Sequence, residues 1–141
     1  MSPADERPEG TRILIIEANP VFRKTLSMHL ESNGFAVRSA DNGLEGLNLV
    51  RKDPPDLVIT DLLLPGLDGH KIVRMIKFDK KLSRITVVVL TSRDLDQDEE
   101  RARQCGADAF MVKTTKLPVV IEVIQKLLER EVERASEYEN T

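Results

Sequence analysis

The sequence predicts an α/β protein in which five parallel strands alternate with five helices that cover the sheet on both faces. Two observations lead to this prediction. Short apolar runs rich in β-branched residues recur along the chain, and each is followed by a longer segment whose apolar residues repeat at helical spacing. Alternation of this kind produces a parallel sheet, because each helix forms a right-handed crossover to the next strand.

Four of the predicted strands end at a polar side chain. The runs 13–16, 56–60, 85–90 and 109–112 are followed by Glu17, Asp61, Thr91 and Lys113. A shorter strand is predicted to begin at Phe35. Since the carboxyl ends of parallel strands share one edge of a sheet, we expect the four side chains to gather there. Two carboxylates, a hydroxyl and an ammonium form a set suited to phosphoryl transfer.

Helices are predicted between these runs from caps and apolar spacing. Asn19 and Pro20 form an N-cap followed by proline at the first helical position. The segment 94–105 is very polar, with only Leu95, Ala102 and Cys105 to face inward, so we expect the least stable helix there. The other predicted inward stripes are Phe22, Leu26 and Leu30; Leu44, Leu47 and Val50; Ile72, Val73 and Ile76; and Val120, Ile121, Ile124, Leu127 and Leu128.

Length and composition limit the function classes. At 141 residues and 15.9 kDa the chain fits one domain, which we place at residues 12–134, with a flexible leader at 1–11 and a polar tail at 135–141. The net charge of -3 lacks a basic nucleic-acid footprint, so no direct nucleic-acid partner is expected. Residues 1–11 are too polar for a signal peptide or membrane span. Cys105, the only cysteine, excludes an internal disulfide, and a cytoplasmic location is expected.

Over residues 12–134 the chain resembles the receiver domains of bacterial two-component response regulators. The likeness rests on the acidic residue after the first strand, the aspartate of Val58-Ile59-Thr60-Asp61, the Pro65 and Gly69 that follow it, Thr91-Ser92, and Phe110-Met111-Val112-Lys113. The resemblance implies a flavodoxin-like doubly wound sheet with strand order 2-1-3-4-5. It also implies a single-domain regulator that acts on a separate downstream protein.

The resemblance assigns a role to each matching residue. Asp61 would accept a phosphoryl group from a histidine kinase, a phosphotransfer protein or a small phosphodonor, so the protein would catalyse its own phosphorylation. Thr91 and Lys113 would contact phosphoryl oxygens, and Phe110 would be the switch aromatic. Glu17, Asp61 and the carbonyl of Leu63 would hold Mg²⁺. Leu63 and Arg93 flank the phosphoryl position, and an apolar Leu63 cannot orient a hydrolytic water.

The chain departs from the family pattern at two positions. A second acidic residue usually follows the first and binds the metal, but here that place is Ala18. One charged ligand fewer predicts weak Mg²⁺ binding. The family lysine usually precedes a cis proline, whereas here Thr114 follows Lys113. A cis bond before a non-proline residue costs about 2.5–4 kcal/mol, so a trans bond is expected.

Simpler interpretations remain open for several residues. Asp61 is also consistent with a turn cap, and Glu17 with a salt bridge to Lys113 alone. Phe110 is suited to the core as well as to a switch. His29 and His70 are expected on helix surfaces, since neither has a second His or Cys at metal-ligand spacing. Cys105 is interpreted as a small apolar residue near a helix end.

Two classes of function follow. The first is a phosphorylation-driven switch in which modified Asp61 changes a partner-binding face. The second is a pseudo-receiver, an interaction module that works without phosphorylation, and Ala18 is the feature that separates the two. A flavin carrier is a third interpretation. It is disfavoured because the turn at Glu17-Ala18-Asn19-Pro20 offers a carboxylate to a cofactor phosphate and lacks a Ser/Thr/Gly-rich cradle.

Overall fold

The computed structural model describes residues 10–92 and 96–139, without the side chains of the last two. Most of the predicted leader, together with Arg93 and Leu95, therefore lies outside the described residues. The strands are β1 (Arg12–Ile16), β2 (Ala36–Ala40), β3 (Leu57–Thr60), β4 (Thr86–Thr91) and β5 (Ala109–Val112). The helices are α1 (Pro20–Ser32), α2 (Gly43–Lys52), α3 (Gly69–Lys77), α4 (Asp96–Gln104) and α5 (Leu117–Glu139).

All five strands form one parallel sheet in the order β2-β1-β3-β4-β5, as predicted. Strand β1 is therefore an inner strand, β2 forms one edge beside it, and β3, β4 and β5 build towards the other edge. The order reverses between β1 and β3, and in doubly wound sheets that switch point is where a site forms outside the carboxyl ends of the strands. In register, Ile16 of β1 lies beside Thr60 of β3, so both strands end at the same level.

Alternate residues of the central strands face two separate cores, as the twofold periodicity of a strand requires. One core lies under α2, α3 and α4, and the other lies under α1 and α5. Both cores meet the same fully buried strands, and β3 and β4 contribute no exposed residue. The strands are thus held firmly on both faces, which fixes the positions at which their carboxyl ends emerge.

The helix caps follow the sequence signals. The Asn19 side chain accepts hydrogen bonds from the backbone N–H groups of Val21 and Phe22 at the start of α1. Asn42 caps α2 in the same way through the N–H of Glu45. These caps satisfy backbone donors that have no partner within the helix, and they set the direction in which each helix leaves the sheet edge.

Three helical expectations need correction or extension. Leu44 is 61% exposed, because residues spaced by three drift around a helix and Leu44 lies about 120° from Val50. His70 was expected on a surface but is buried, since α4 covers the first turn of α3. Helix α5 continues to Glu139, so described residues after Arg134 extend that helix.

Among the described residues, no helix is both long and apolar enough to cross a membrane.

Candidate functional site

Backbone hydrogen bonds bring the predicted polar side chains to one edge of the sheet. The Asp61 N–H donates to the Ile16 carbonyl at 3.1 Å, which continues the β1–β3 ladder one residue past the strands. The Lys113 N–H donates to the Thr91 carbonyl at 2.8 Å and does the same for β4 and β5. The placement of these groups follows directly from strand register, as the sequence predicted.

The carboxylate of Asp61 is held at both oxygens. Oδ1 accepts the backbone N–H groups of Leu62 and Leu63, at 2.6 and 3.3 Å. Oδ2 lies 2.9 Å from Nζ of Lys113. Asp61 is only 4% exposed, whereas Leu63, two residues later in the loop, is 48% exposed. The carboxylate is therefore held in a fixed orientation just beneath the exposed loop residue Leu63.

Lys113 links the two carboxylates of the site. Its Nζ is 2.8 Å from Oε1 of Glu17 and 2.9 Å from Oδ2 of Asp61, and it lies 4.8 Å from the centre of the Phe22 ring. Burial of the ammonium opposes its charge, but the hydrogen bonds and charges of Glu17 and Asp61 outweigh that effect and raise the pKa of Lys113. The described residues contain no cis peptide bond, so Lys113–Thr114 is trans, and the ammonium nevertheless reaches Asp61.

Glu17 is buried and fixed from two sides. Besides the ion pair with Lys113, its Oε2 accepts the backbone N–H of Asn19 at 2.9 Å. The backbone carbonyl of Glu17 accepts a hydrogen bond from Nη1 of Arg23 at 2.7 Å. Ala18 brings no side-chain oxygen to this corner. Glu17 therefore does form the salt bridge with Lys113 that the simpler interpretation predicted. Its role as a metal ligand stays a prediction.

Thr91 and Phe110 lie on the neighbouring strands at the side of the site nearest α4. Thr91 ends β4 and is fully buried. Phe110 pairs in register with Val89 and is partly buried against the core beneath α2, α3 and α4. Their predicted roles as phosphoryl ligand and switch aromatic concern a phosphorylated state, so they stay predictions. Arg93, predicted to flank the phosphoryl position, lies outside the described residues.

The loop that follows Asp61 is packed closely against the start of α3. The Gly69 N–H donates to the Leu62 carbonyl at 3.0 Å, and a Cβ added at Gly69 would lie 2.2 Å from the Asp61 carbonyl oxygen. Only glycine leaves room for this approach. Gly66 within the loop has a φ of +82°, a value that glycine adopts without steric cost.

The oxygen ligands at this edge are of the chemical type that binds a hard divalent cation. Carboxylates and backbone carbonyls are the ligands that Mg²⁺ prefers, and Glu17, Asp61 and the Leu63 carbonyl provide them. Two carboxylates are fewer than a dedicated metal site offers, and no group of three His, Cys, Asp or Glu side chains among the described residues is arranged to hold a metal. Lys113 moreover contacts both carboxylates, so a cation at this site would share them with its ammonium.

A family model of the response regulator receiver domain matches residues 13–125, which include every site residue described above. The chain belongs to the response regulator receiver family. Response regulator receiver domains belong to two-component signal transduction, as the sequence resemblance predicted. The sheet order and the acidic residue, aspartate, threonine and lysine at the strand ends agree with that assignment.

Curated relatives and solved structures support the same family. The receiver is 34% identical over 116 residues to the polar-differentiation response regulator DivK of Brucella anthropi, with 82% of this chain and 94% of the relative covered. It is 33% identical to the signal receiver domain of a signal transduction histidine kinase from Syntrophus aciditrophicus, with a TM-score of 0.80 and coverage of 85% and 91%. A CheY-like receiver from Methanospirillum hungatei, 21% identical, shares the fold with a TM-score of 0.83 and coverage of 88% and 98%.

Three residues that shape this receiver's site were not predicted from sequence. Phe22 was assigned only to the apolar stripe of α1, but its ring also lies under the Lys113 ammonium. Arg23 contacts the backbone at Glu17, and His70 is buried beside α4. The capped start at Asn19 placed Phe22 and Arg23 in the first turn of α1, next to the sheet edge. That position was the available signal for their proximity to the site.

Proposed function

We propose that this receiver domain accepts a phosphoryl group on Asp61 and that phosphorylation changes a partner-binding face beside α4. The observation that carries the proposal is the arrangement around Asp61. Two backbone N–H groups orient one carboxylate oxygen, and Lys113 lies 2.9 Å from the other. A carboxylate that only capped a turn would not require a partly buried ammonium from the end of a different strand.

In the proposed reaction the phosphoryl group moves from its donor to a carboxylate oxygen of Asp61. An oxygen of the Asp61 carboxylate attacks the phosphorus of a phosphohistidine on a kinase or phosphotransfer protein, or of a small phosphodonor. With phosphohistidine the new O–P bond forms as the P–N bond breaks, and the leaving imidazole keeps the electron pair and takes up a proton. With acetyl phosphate the P–O bond to the acetyl group breaks instead, and acetate leaves with the electron pair. Hydrolysis later breaks the acyl phosphate, with water supplying the oxygen of the released inorganic phosphate and Asp61 returning to a carboxylate.

Lys113 supports this step through charge and position. Phosphoryl transfer is limited by alignment and by neutralisation of charge on the transferred oxygens, and a fixed ammonium at the nucleophile contributes to both. The raised pKa of Lys113 keeps its side chain cationic at neutral pH. Glu17 and the Phe22 ring hold the ammonium in place, so it does not depend on Asp61 alone for its position.

Receiver domains generally depend on Mg²⁺, and in this chain Glu17, Asp61 and the Leu63 carbonyl are the groups that would hold it. When bound, the ion neutralises phosphoryl charge. Because Ala18 replaces an acidic ligand, we expect water to fill that coordination position and the affinity to be weak.

The proposed response to phosphorylation passes through Thr91 to α4. A Thr91 hydroxyl that turns towards the phosphoryl group would change the packing beside Phe110 on β5 and against α4. A downstream protein would then bind the altered surface. Histidine kinases and downstream target proteins are the general partners of receiver domains, and we propose the same two classes for this chain.

Intact-mass spectrometry tests the proposal directly. The protein is incubated with acetyl phosphate and Mg²⁺, and one added phosphoryl mass is expected. Asp61→Asn should abolish the addition, whereas Asp56→Asn, which changes an exposed aspartate before the same strand, should retain it. Failure of the unmodified protein to gain mass, both with acetyl phosphate and with a phosphorylated phosphotransfer protein, would favour the pseudo-receiver. A gain that survives Asp61→Asn would place the acceptor elsewhere.

A further inference from the structure

His70 is a buried imidazole that the proposed phosphoryl chemistry does not use. It is the second residue of α3 and only 3% exposed, and within the described part of the chain neither of its ring nitrogens makes a hydrogen bond. Nε2 lies 3.5 Å from Oδ1 of Asp98, whose side chain is 5% exposed. Leaving a buried polar group without a hydrogen bond is unfavourable, so apolar packing alone does not account for a histidine here.

On one side His70 is connected to the phosphoryl-acceptor loop. It directly follows Gly69, whose N–H donates to the Leu62 carbonyl and whose Cα lies too close to the Asp61 carbonyl to allow a Cβ. The first turn of α3 therefore cannot shift without moving the backbone of Asp61 and Leu62. Any change in that backbone on phosphorylation is passed to His70.

On its other side His70 contacts a helix with few other anchors. The described residues of α4 bury only the side chains Asp98 and Ala102, and Cys105 follows just after the helix. By contrast, α5 buries Val120, Ile121, Ile124 and Leu127. Among the described residues, the contact at Asp98 is consequently a large share of what holds α4 against α3.

We propose that His70 is a positioning residue that holds α4 through Asp98 and couples α4 to the Asp61 loop, and that protonation of its imidazole loosens α4. The coupling to Asp61 rests on the proposed function, whereas the effect of protonation on α4 does not.

The direction of the pH effect follows from the groups around the imidazole. Burial is the largest influence and lowers the pKa of His70 from its ordinary 6.5; the Arg101 charge lowers it further, while Asp98 and Asp68 oppose the shift. Strand β4 brings no titratable side chain to α3, and the charged residues Arg93 and Asp94 precede α4 outside the described range. The charged side chains of α2 are exposed and are Glu45, Arg51 and Lys52.

A lowered pKa means that a proton binds more readily once the imidazole is hydrated. Acid should therefore shift α4 towards positions in which His70 is exposed. The ratio of exposed to buried positions should rise by about tenfold for each unit by which the pKa of His70 differs between them. By reciprocity, anything that loosens α4 must move the pKa of His70 back towards 6.5. If the ion pair with Asp98 were the stronger influence, acid would tighten α4 instead.

The test combines two measurements on the intact protein. The imidazole signals are followed by NMR from pH 8 to 5, with exposed His29 on α1 as the reference within the same molecule. Amide hydrogen exchange in α4 is measured over the same range and expressed as protection factors, which removes the intrinsic pH dependence of exchange. Both are repeated with Mg²⁺ and beryllofluoride, a phosphoryl mimic, whose binding is detected independently at the amides of Asp61 and Lys113.

The proposal expects protection in α4 to fall as His70 gains its proton, and the mimic to raise the pKa of His70 while leaving the His29 signal unchanged. His70→Gln should remove the pH dependence and weaken the response of α4 to the mimic. Should that variant fold poorly, Asp98→Asn offers a second route, since it should change the titration of His70 itself.

Constant or rising protection in α4 as His70 titrates would overturn the proposal, as would a mimic response in His70→Gln equal to that of the unmodified protein. Absence of mimic binding in every variant would count against phosphorylation of Asp61 and against the coupling. The NMR titration and the hydrogen-exchange measurements across pH would still decide whether His70 positions α4, because they need no mimic.

Discussion

The ammonium of Lys113 lies 2.9 Å from the carboxylate of Asp61 and is shared with Glu17 at 2.8 Å. These three side chains come from the ends of three different strands and are 4–17% exposed. Two buried carboxylates on one half-buried cation form an arrangement that is costly to break, because loss of the cation leaves both buried negative charges unpaired. The same cluster is thus expected to affect stability and phosphorylation together.

Lys113→Met tests the cost of leaving those carboxylates without their cation. We expect the free energy of unfolding to fall by about 3–5 kcal/mol, the range for removal of one partner from a buried ion pair. Urea unfolding at pH 7.5 measures it. Lys126→Met removes an exposed lysine from α5 and should change stability by less than about 1 kcal/mol. Similar small losses in both variants would show that the Lys113 contacts add little.

The raised pKa of Lys113 predicts an alkaline limit to stability. A cation whose pKa is higher in the folded state contributes stability that is fully present below its unfolded value of 10.5 and is lost as pH rises through the folded value. The difference in unfolding free energy between the unmodified protein and Lys113→Met should therefore shrink above pH 10.5. Using the difference removes the titration of other lysines. A constant difference up to pH 12 would contradict the prediction.

The strand-end positions in this cluster could be predicted from sequence, whereas the contacts among them could not. Apolar run length decides where a strand ends, and parallel pairing then places Glu17, Asp61 and Lys113 on one edge. The direction of the Lys113 side chain depends on Phe22, which comes from a helix distant in sequence. Burial of His70 likewise depends on α4 lying over it, which no local pattern encodes.

Ala18→Asp is expected to strengthen Mg²⁺ binding by restoring a charged oxygen ligand beside Glu17. An increase on the order of tenfold, corresponding to about 1.4 kcal/mol, is expected in calorimetric titration. Ala18→Asn, which has nearly the same shape without the charge, should give a smaller gain. Equal or tighter binding by the unmodified protein would show that Glu17 and water already complete the site.

Leu63 predicts a long-lived acyl phosphate once Asp61 is modified. Its side chain is 48% exposed beside the acceptor and has no group with which to orient an attacking water. In Leu63→Asn the phosphorylated mass should decay faster, while Leu63→Met, which stays apolar, should decay at the original rate. Time-resolved intact-mass measurement compares the three. Slower decay in Leu63→Asn than in the unmodified protein would reverse the assigned effect.

Gly69→Ala should damage the acceptor site through its backbone. The added methyl would lie 2.2 Å from the Asp61 carbonyl oxygen and 2.6 Å from Cα of Leu62, so either α3 or the acceptor loop must move. Overpacking of this kind costs about 1–3 kcal/mol, and urea unfolding should show that loss.

The informative control is Gly34→Ala, because that glycine has a φ of +92° but no atom within 4 Å of an added Cβ. It should lose about 1–2 kcal/mol from backbone strain, a loss that overlaps the one expected at Gly69. Only Gly69→Ala should also slow phosphorylation by acetyl phosphate, since only there does the methyl displace the carboxylate's own backbone. Equal phosphorylation rates in the two variants would mean that the loop relaxes away from α3 without moving Asp61.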